Sequence, residues 1–345
     1  MKVEEFNYYL PKEYIAQKPV SPRDHSRLMI VDRKNRKINH HYFYEIGKFF
    51  KKGDVLVLNN SKVIPARLIG KKLTTGSKVE ILLLRPKIKK LDNYRWRKNW
   101  IIIGRPGLKE GEIIIFDKNL QAKVKKAVNY EREIEFNYSG ERLRNIIYQI
   151  GQAPTPPYIK RLSNLKEYQT VYAKCLGSVA APTAGFHFTP RLIKKLKTKG
   201  VIFKYITLHV GLGTFQPLKA MEVEQHRMHP EWAAIDKKTA DFLNRAKKNQ
   251  QRIIAVGTTT TRALEEFADK KNHLRAGRKF VDIFIYPGYE FKFVDALITN
   301  FHLPKSTLLM LVSAFTKKDL IFKAYQEAIK NNYRFFSFGD AMFII

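Results

Sequence analysis

Residues 189–210 read TPRLIKKLKTKGVIFKYITLHV. Thr189 is a good N-cap, Pro190 suits the first helical position, and Gly200 suits the left-handed residue that closes a helix. RLIKKLKTK is therefore framed as one helix, and Val201–Val210 follows it as a strand. The same alternation continues downstream. Lys237–Lys248 has amphipathic helical spacing, Arg252–Val256 (RIIAV) reads as a strand and Arg262–Lys270 as a helix. Val281–Tyr286 (VDIFIY) reads as a strand, and Thr307–Phe315 and Leu320–Asn331 as helices. Alternating helices and strands predict a mostly parallel α/β core.

Upstream the texture differs. Phe6–Leu10 and Arg27–Val31 read as extended, Tyr42–Phe50 has helical spacing ending at Gly53, and Asp54–Leu58 (DVLVL) is a short buried strand. From Ser61 to Ile150 short β-like runs (VIPARLIG, KVEILLL, EIIIF, EIEF) are separated by Thr75-Gly76, Pro106-Gly107, Asp117-Lys118-Asn119 and Ser139-Gly140. Short strands at this spacing predict a small β-barrel or sandwich. The expected organisation is an α/β domain made of residues 1–60 and 151–345, with a small β domain, 61–150, inserted in it.

The 345 residues suffice for two such units. Hydrophobic residues at 44% and charged residues at 28% exclude a disordered or fibrous chain. The longest apolar stretch, Thr307–Phe315, is about half of the roughly 20 residues that span a bilayer. The N-terminal MKVEEFNYYLPKEY lacks the apolar segment of a signal peptide. One cysteine, Cys175, excludes a disulfide framework and a cysteine-rich zinc site. A cytoplasmic, membrane-free protein is expected. Its net charge of +33 is a field that attracts polyanions, RNA or DNA among them. The insert carries 21 Lys and Arg against 9 Asp and Glu, so the charge is spread over both parts.

Several segments concentrate residues fit for chemistry. GSVAAPTAGFHF (177–188) crowds small residues before His187, where a ligand can approach the backbone. TLHVGLGTFQP (207–217) delivers His209 and then Gly211, Gly213 and Thr214 at a strand end, where α/β proteins bind ligands. Gln216 stands where a dinucleotide fingerprint needs glycine. EQHRMHPE (224–231) gathers His226, His229 and Glu231, but Pro230 forbids a continuing helix, and no motif demands a metal. AVGTTTTRALE (255–265) puts Thr258 and Thr259 at a helix start suited to an anion. DALITNFHLPKST (295–307), preceded by Tyr286, offers Asp295, Asn300 and His302 on a loop after a strand. No Walker A motif or nucleophile elbow occurs. On these residues alone the chain reads as a basic two-domain α/β protein acting on RNA. A non-catalytic RNA-binding protein and an S-adenosylmethionine-dependent methyltransferase are the competing classes, the latter lacking its glycine-rich motif.

Taken together the segments resemble one family. AQKPVSPRDHSRL (16–28), GDVLVLNNSKVIPARL (53–68), GQAPTPPYIKR (151–161), YQTVYA (168–173), SVAAPTAGFHFT (178–189), TLHVGLGTFQP and HRMHPEW (226–232) occur in order. So do VGTTTTRALE, IYPGYEFKFVDALITNFHLPKSTLLMLVSAF and RFFSFGDAM (334–342). The chain is similar, almost end to end, to the S-adenosylmethionine:tRNA ribosyltransferase-isomerases of queuosine biosynthesis.

That resemblance implies a large mixed, barrel-like α/β catalytic domain with an inserted β-barrel. It implies S-adenosylmethionine as ribosyl donor and co-substrate, with no recycled cofactor. The acceptor is 7-aminomethyl-7-deazaguanine at the tRNA wobble position, and epoxyqueuosine-tRNA, adenine and methionine are the products. The sulfonium acidifies the adjacent C–H, so a base must take that proton, and adenine needs a general acid to leave. Histidine can do either. The catalytic expectations are His209 and His226 or His229, with Glu231 or Asp295 as orienter or partner. Donor contacts are expected from His187, Gly211, Gly213, Thr214, Thr258, Thr259, Tyr286, Asn300 and His302. RNA contacts are expected from Arg23, Arg27, Lys62, Arg67, Lys160 and Arg161, with Tyr158 or Tyr286 stacking on a base. A monomer is expected.

Overall fold

The computed structural model describes residues 1–87, 96–156, 158, 159, 164–211, 218 and 220–345. The chain opens with β1 (Arg27–Asp32), β2 (Lys37–Tyr42), β3 (Val55–Asn59) and β4 (Ser61–Val63). It continues with β5 (Arg67–Lys72), β6 (Lys78–Pro86), β7 (Asn99–Arg105), β8 (Ile113–Ile115), β9 (Gln121–Val128), β10 (Glu131–Phe136) and α1 (Gly140–Ile150). Then come β11 (Cys175–Ser178), α2 (Pro190–Thr198), β12 (Ile202–Leu208), β13 (Glu231–Ile235), α3 (Lys237–Lys248) and β14 (Ile253–Val256). The chain ends with α4 (Thr258–Phe267), β15 (Gly277–Val281), β16 (Ala296–Asn300), α5 (Thr307–Thr316), α6 (Lys318–Lys330) and β17 (Ala341–Ile344).

Nine strands form one mixed sheet in the order β15-β13-β12-β3-β14-β16-β17-β1-β2. Its middle, β12-β3-β14-β16, is parallel, as the alternation predicts. Antiparallel strands flank it on both sides. β3 is VLVLN with every residue buried, the continuous apolar run of a strand covered on both faces. Truncating one such side chain, Leu56→Ala, costs about 2–5 kcal/mol. The fold is thus mixed α/β, and the closed sheet is the six-stranded β10-β7-β6-β5-β8-β9, with β11 and β4 pairing separately. Trp100, Ile134 and Phe136 fill that barrel, and α1 closes one side of it with Leu143 and Ile147. β9 is QAKVKKAV, whose inward Ala122 and Val124 alternate with exposed lysines.

The α2 frame holds. The Thr189 hydroxyl accepts the Leu192 amide at 3.2 Å, Pro190 opens the helix, and Gly200 has φ +85. VDIFIY departs from expectation, since β15 ends at Val281. The Val281 and Ile283 carbonyls instead accept hydrogen bonds from the Arg262 guanidinium. Phe6–Leu10 is not a strand either. A 3-10 turn covers Val3–Phe6, with Phe6 buried in the main core. Among the described residues no helix is long and apolar enough to cross a membrane.

Candidate active site

The parallel strands deliver their carboxyl ends to one edge, and a cleft opens there. Val210 after β12, Gly257 and Thr258 after β14, and Asn300 and His302 at the end of β16 line it. This is the crevice where open α/β sheets bind ligands. The opposite wall is Ala181–Ala184 with Phe336 and Ser337.

Gly257 has φ +92, a conformation that a side chain resists, and it turns the chain from β14 straight into α4. Thr260 and Thr261 donate back to the Val256 and Gly257 carbonyls at 2.7 and 3.2 Å. Thr258 and Thr259 face the cleft at the helix start, where free amides and the dipole favour negative charge.

A polar chain crosses the cleft wall. Ser26 Oγ lies 2.7 Å from His187 Nδ1, and His187 Nε2 lies 3.2 Å from Asn300 Nδ2. Asn300 Nδ2 also donates to the Phe336 carbonyl at 3.1 Å. With its amide nitrogen so engaged, Asn300 keeps its oxygen beside the Thr183 hydroxyl at 3.4 Å. A smaller cavity behind His187 is lined by Arg23, Ser26 and Arg334 and shares Ser337 with the cleft. Burial pushes the His187 imidazole down to about 3, helped by Arg334 and Arg23. His302 bonds Thr299 Oγ1 at 3.0 Å, and burial pushes it down to about 3 as well. Both rings are neutral at neutral pH.

His209, beside the cleft-lining Val210, stacks on Trp232 with ring centres 5.0 Å apart. Burial holds it at about 3. Glu231 is buried against Arg262, its Oε2 2.7 Å from Nη1, and its Oε1 accepts the Gly211 amide at 2.7 Å. His226 is half-buried, edge-on to Phe284 at 5.2 Å. Burial, then His229, then Arg262 lower its pKa. His229 Nε2 lies 2.9 Å from the hydroxyl of Tyr130, which sits on the β9–β10 hairpin of the barrel.

A family model described as a queuosine biosynthesis protein matches residues 3–344. The chain belongs to that family. It is 52% identical to the S-adenosylmethionine:tRNA ribosyltransferase-isomerase of Halothermothrix orenii, each chain covered in full. It is 51% identical, again over both full lengths, to the protein of that name from Thermotoga maritima. The crystal structure of S-adenosylmethionine tRNA ribosyltransferase from Thermotoga maritima superposes with a TM-score of 0.56. The two are 40% identical, with 99% of this chain and all of that one covered.

In this queuosine-family chain the cleft brings together Thr258, Thr259, Asn300 and His302, with His187 behind Asn300 and with His209 and Gly211 as the chain neighbours of the cleft-lining Val210. Gly213 and Thr214, expected beside them, lie outside the described residues. Tyr286 packs on Phe284, with ring centres 5.1 Å apart, and does not line the cleft. Asp295 is the clearest correction. It precedes β16 and its Oδ2 accepts the Ile253 amide at 2.8 Å, which places it at the amino ends of β14 and β16. At about 3.3 Å per residue, a four- to five-residue strand puts it roughly 15 Å from the cleft. Glu231, expected as orienter or partner, has both oxygens engaged, by Arg262 and by the Gly211 amide.

The cationic expectations divide similarly. Arg23 donates to the Gln169 carbonyl at 2.8 Å and to the Glu167 carbonyl, and Arg27 to the Asn331 carbonyl. Arg67 pairs with Glu80 at 2.7 Å. These three are committed within the chain, whereas Lys62 is exposed. Lys160 and Arg161 lie outside the described residues. Tyr158 is turned inward, its hydroxyl 2.6 Å from Ser337 Oγ and its ring 4.2 Å from Phe336. Arg262, Ser26 and Ser337 had not been singled out. All three fall inside quoted motifs, but nothing in the spacing shows that they meet Glu231, His187 and Tyr158.

Proposed function

We propose that the protein transfers and isomerises the ribosyl part of S-adenosylmethionine onto 7-aminomethyl-7-deazaguanine at the wobble position of tRNA. Adenine and methionine leave, and epoxyqueuosine-tRNA is formed. The observation that carries this reading is the cleft at the carboxyl ends of the parallel strands, lined by Thr258, Thr259, Asn300 and His302, in a chain of this family.

The residues divide by their surroundings. Thr258 and Thr259, at a helix start, suit the donor's carboxylate, and the fixed oxygen of Asn300 suits a donor N–H or hydroxyl. His187, His209 and His302 are held neutral, so they orient and accept hydrogen bonds but do not arrive carrying a proton. A base held near 3 is also weak at neutral pH. Proton transfer therefore falls to His226 and His229, on the loop before β13, with His209 as a positioning ring on Trp232.

Residues 1–60 and 151–345 make up the catalytic unit in this proposal, and 61–150 the inserted barrel, supported by the separate barrel core. The protein acts as a cytoplasmic monomer. Lys62, Lys160 and Arg161 contact phosphates.

The test is incubation with S-adenosylmethionine and a tRNA carrying 7-aminomethyl-7-deazaguanine, following adenine by chromatography and the nucleoside by mass. Adenine release with the matching mass gain supports the reading. Intact donor with tRNA bound overturns it.

A further inference from the structure

Tyr42 and Tyr44 lie outside the cleft and are 48% and 37% exposed, yet their rings are ordered against each other. The planes are within 4° of parallel, with centres 5.5 Å apart. His25, also exposed, extends the group, its ring 5.2 Å from Tyr44. Large exposed rings in a row are costly to leave in water and present faces on which another planar group can stack.

The row is fixed in place. Glu45 accepts the Tyr42 amide at 3.0 Å, capping the 3-10 helix Phe43–Phe49 at Tyr42. Between the two tyrosines, Phe43 is fully buried, its ring 4.9 Å from His187 and 5.1 Å from Phe188. On the other side His25 precedes Ser26, whose hydroxyl holds His187. The exposed rings thus sit on the outside of the wall whose inside positions His187 and Asn300.

A basic helix face borders them. Arg191 reaches Asp24, next to His25, at 3.3 Å, and Lys199 donates to the Gly47 carbonyl at 2.6 Å. Arg191, Lys195 and Lys199 are four residues apart and so share one face of α2 and its end. All three are exposed, and both ends of the row are anchored to the aromatic segment. Nearby acids are already engaged, Asp24 by Thr189 and Arg191, and Glu45 by Lys48. Aromatic faces beside a cationic track are what an unpaired nucleic-acid strand requires, bases on the rings and phosphates on the cations.

We propose that Tyr42, Tyr44 and His25 form a platform on which an unpaired base of the RNA substrate stacks, with Lys195, on the helix face that Arg191 and Lys199 anchor beside the rings, taking the adjoining phosphate. This rests on the tRNA reading above and adds a place where the loop is gripped while the target base enters the cleft.

The probe is a tRNA anticodon stem–loop hairpin with guanine at the wobble position, titrated by fluorescence anisotropy at two salt concentrations. Tyr42→Ala/Tyr44→Ala should raise its Kd roughly 5- to 150-fold, the worth of one stacked base. Binding of S-adenosylmethionine and the thermal midpoint should not move. Tyr42→Phe/Tyr44→Phe should bind like wild type, because the rings remain. Lys195→Gln should weaken binding and shallow the log Kd against log salt slope by about 0.7. A folded double-alanine variant that binds the hairpin as wild type overturns the platform. So does an equal loss of donor binding, which would mean general damage. A change in sedimentation with unaltered hairpin affinity overturns it in favour of a protein-facing surface. Wild type that neither binds the hairpin nor releases adenine from S-adenosylmethionine in the presence of the modified tRNA overturns the tRNA reading itself, a result distinct from these.

Discussion

Arg262 Nη1 lies 2.7 Å from Glu231 Oε2, and both side chains are buried. The other carboxylate oxygen holds the Gly211 amide, and the guanidinium also holds the Val281 and Ile283 carbonyls. One ion pair therefore ties α4, β13, β15 and the turn after β12 together beside the cleft. Removing one partner of a buried pair leaves an uncompensated charge, whereas replacing both by apolar groups is often neutral.

Glu231→Ala should lower stability by about 3–5 kcal/mol in urea unfolding. Glu231→Leu/Arg262→Met should regain most of that. Adenine release should stay low in the double variant, because the Gly211 amide loses its acceptor. If stability and activity recover together, the pair serves folding alone.

His187, His209 and His302 are each held near 3 by burial, against 6.5 in the unfolded chain. Between those values the unfolded state binds more protons, so stability rises with pH there and is flat above about 7. Each ring contributes a slope of about 1.4 kcal/mol per pH unit, close to 4 for the three together. Urea midpoints measured from pH 4 to 8 should fall steeply below pH 6. His302→Gln should remove about a third of the slope, and a variant with the wild-type slope would show that His302 is not held neutral.

His226, on the loop before β13, is half-buried, and burial, then His229 and Arg262, lower its pKa. A proton-transfer group is most effective with a pKa near the working pH. His226→Ala should cut turnover by roughly 10²- to 10⁴-fold with tRNA affinity little changed. The pH–rate profile should lose its acid limb. Turnover at the wild-type level would pass that role to His229.

What could be read from the sequence follows burial and punctuation. The DVLVL strand, the capped helix after Thr189 and the α5 and α6 helices were legible because one-sided or continuous burial writes a period. β2 (KINHHY) was not, since it is an edge strand with polar residues on its faces. β9 was masked by its lysines, and α1 by a short polar turn before it. In the site, His187, Thr258, Thr259, Asn300 and His302 stood out because strand ends and helix starts are marked locally by glycine, threonine and asparagine. Asp295 sat in the same motif as Asn300, but a strand has two ends, and motif proximity does not say which end meets the ligand. The Glu231–Arg262 pair joins residues 31 apart, a relation that only the folded sheet supplies.

Asp295 gives the sharpest separation of these readings. Its Oδ1 pairs with Lys247, its Oδ2 accepts the Ile253 amide, and its backbone carbonyl accepts from Arg33 at 2.6 Å. Every one of these bonds fastens the amino ends of β14 and β16, none the cleft. Asp295→Ala should therefore leave the Ile253 amide without its acceptor and Lys247 with only the Phe293 carbonyl, costing about 1–3 kcal/mol. The thermal midpoint should drop, and kcat per folded molecule at a temperature well below it should match wild type. The conservative Asp295→Asn keeps an acceptor for Ile253 and should recover part of the midpoint. A variant with the wild-type midpoint and a collapsed kcat would instead return Asp295 to the chemistry and contradict the strand polarity on which the cleft assignment depends.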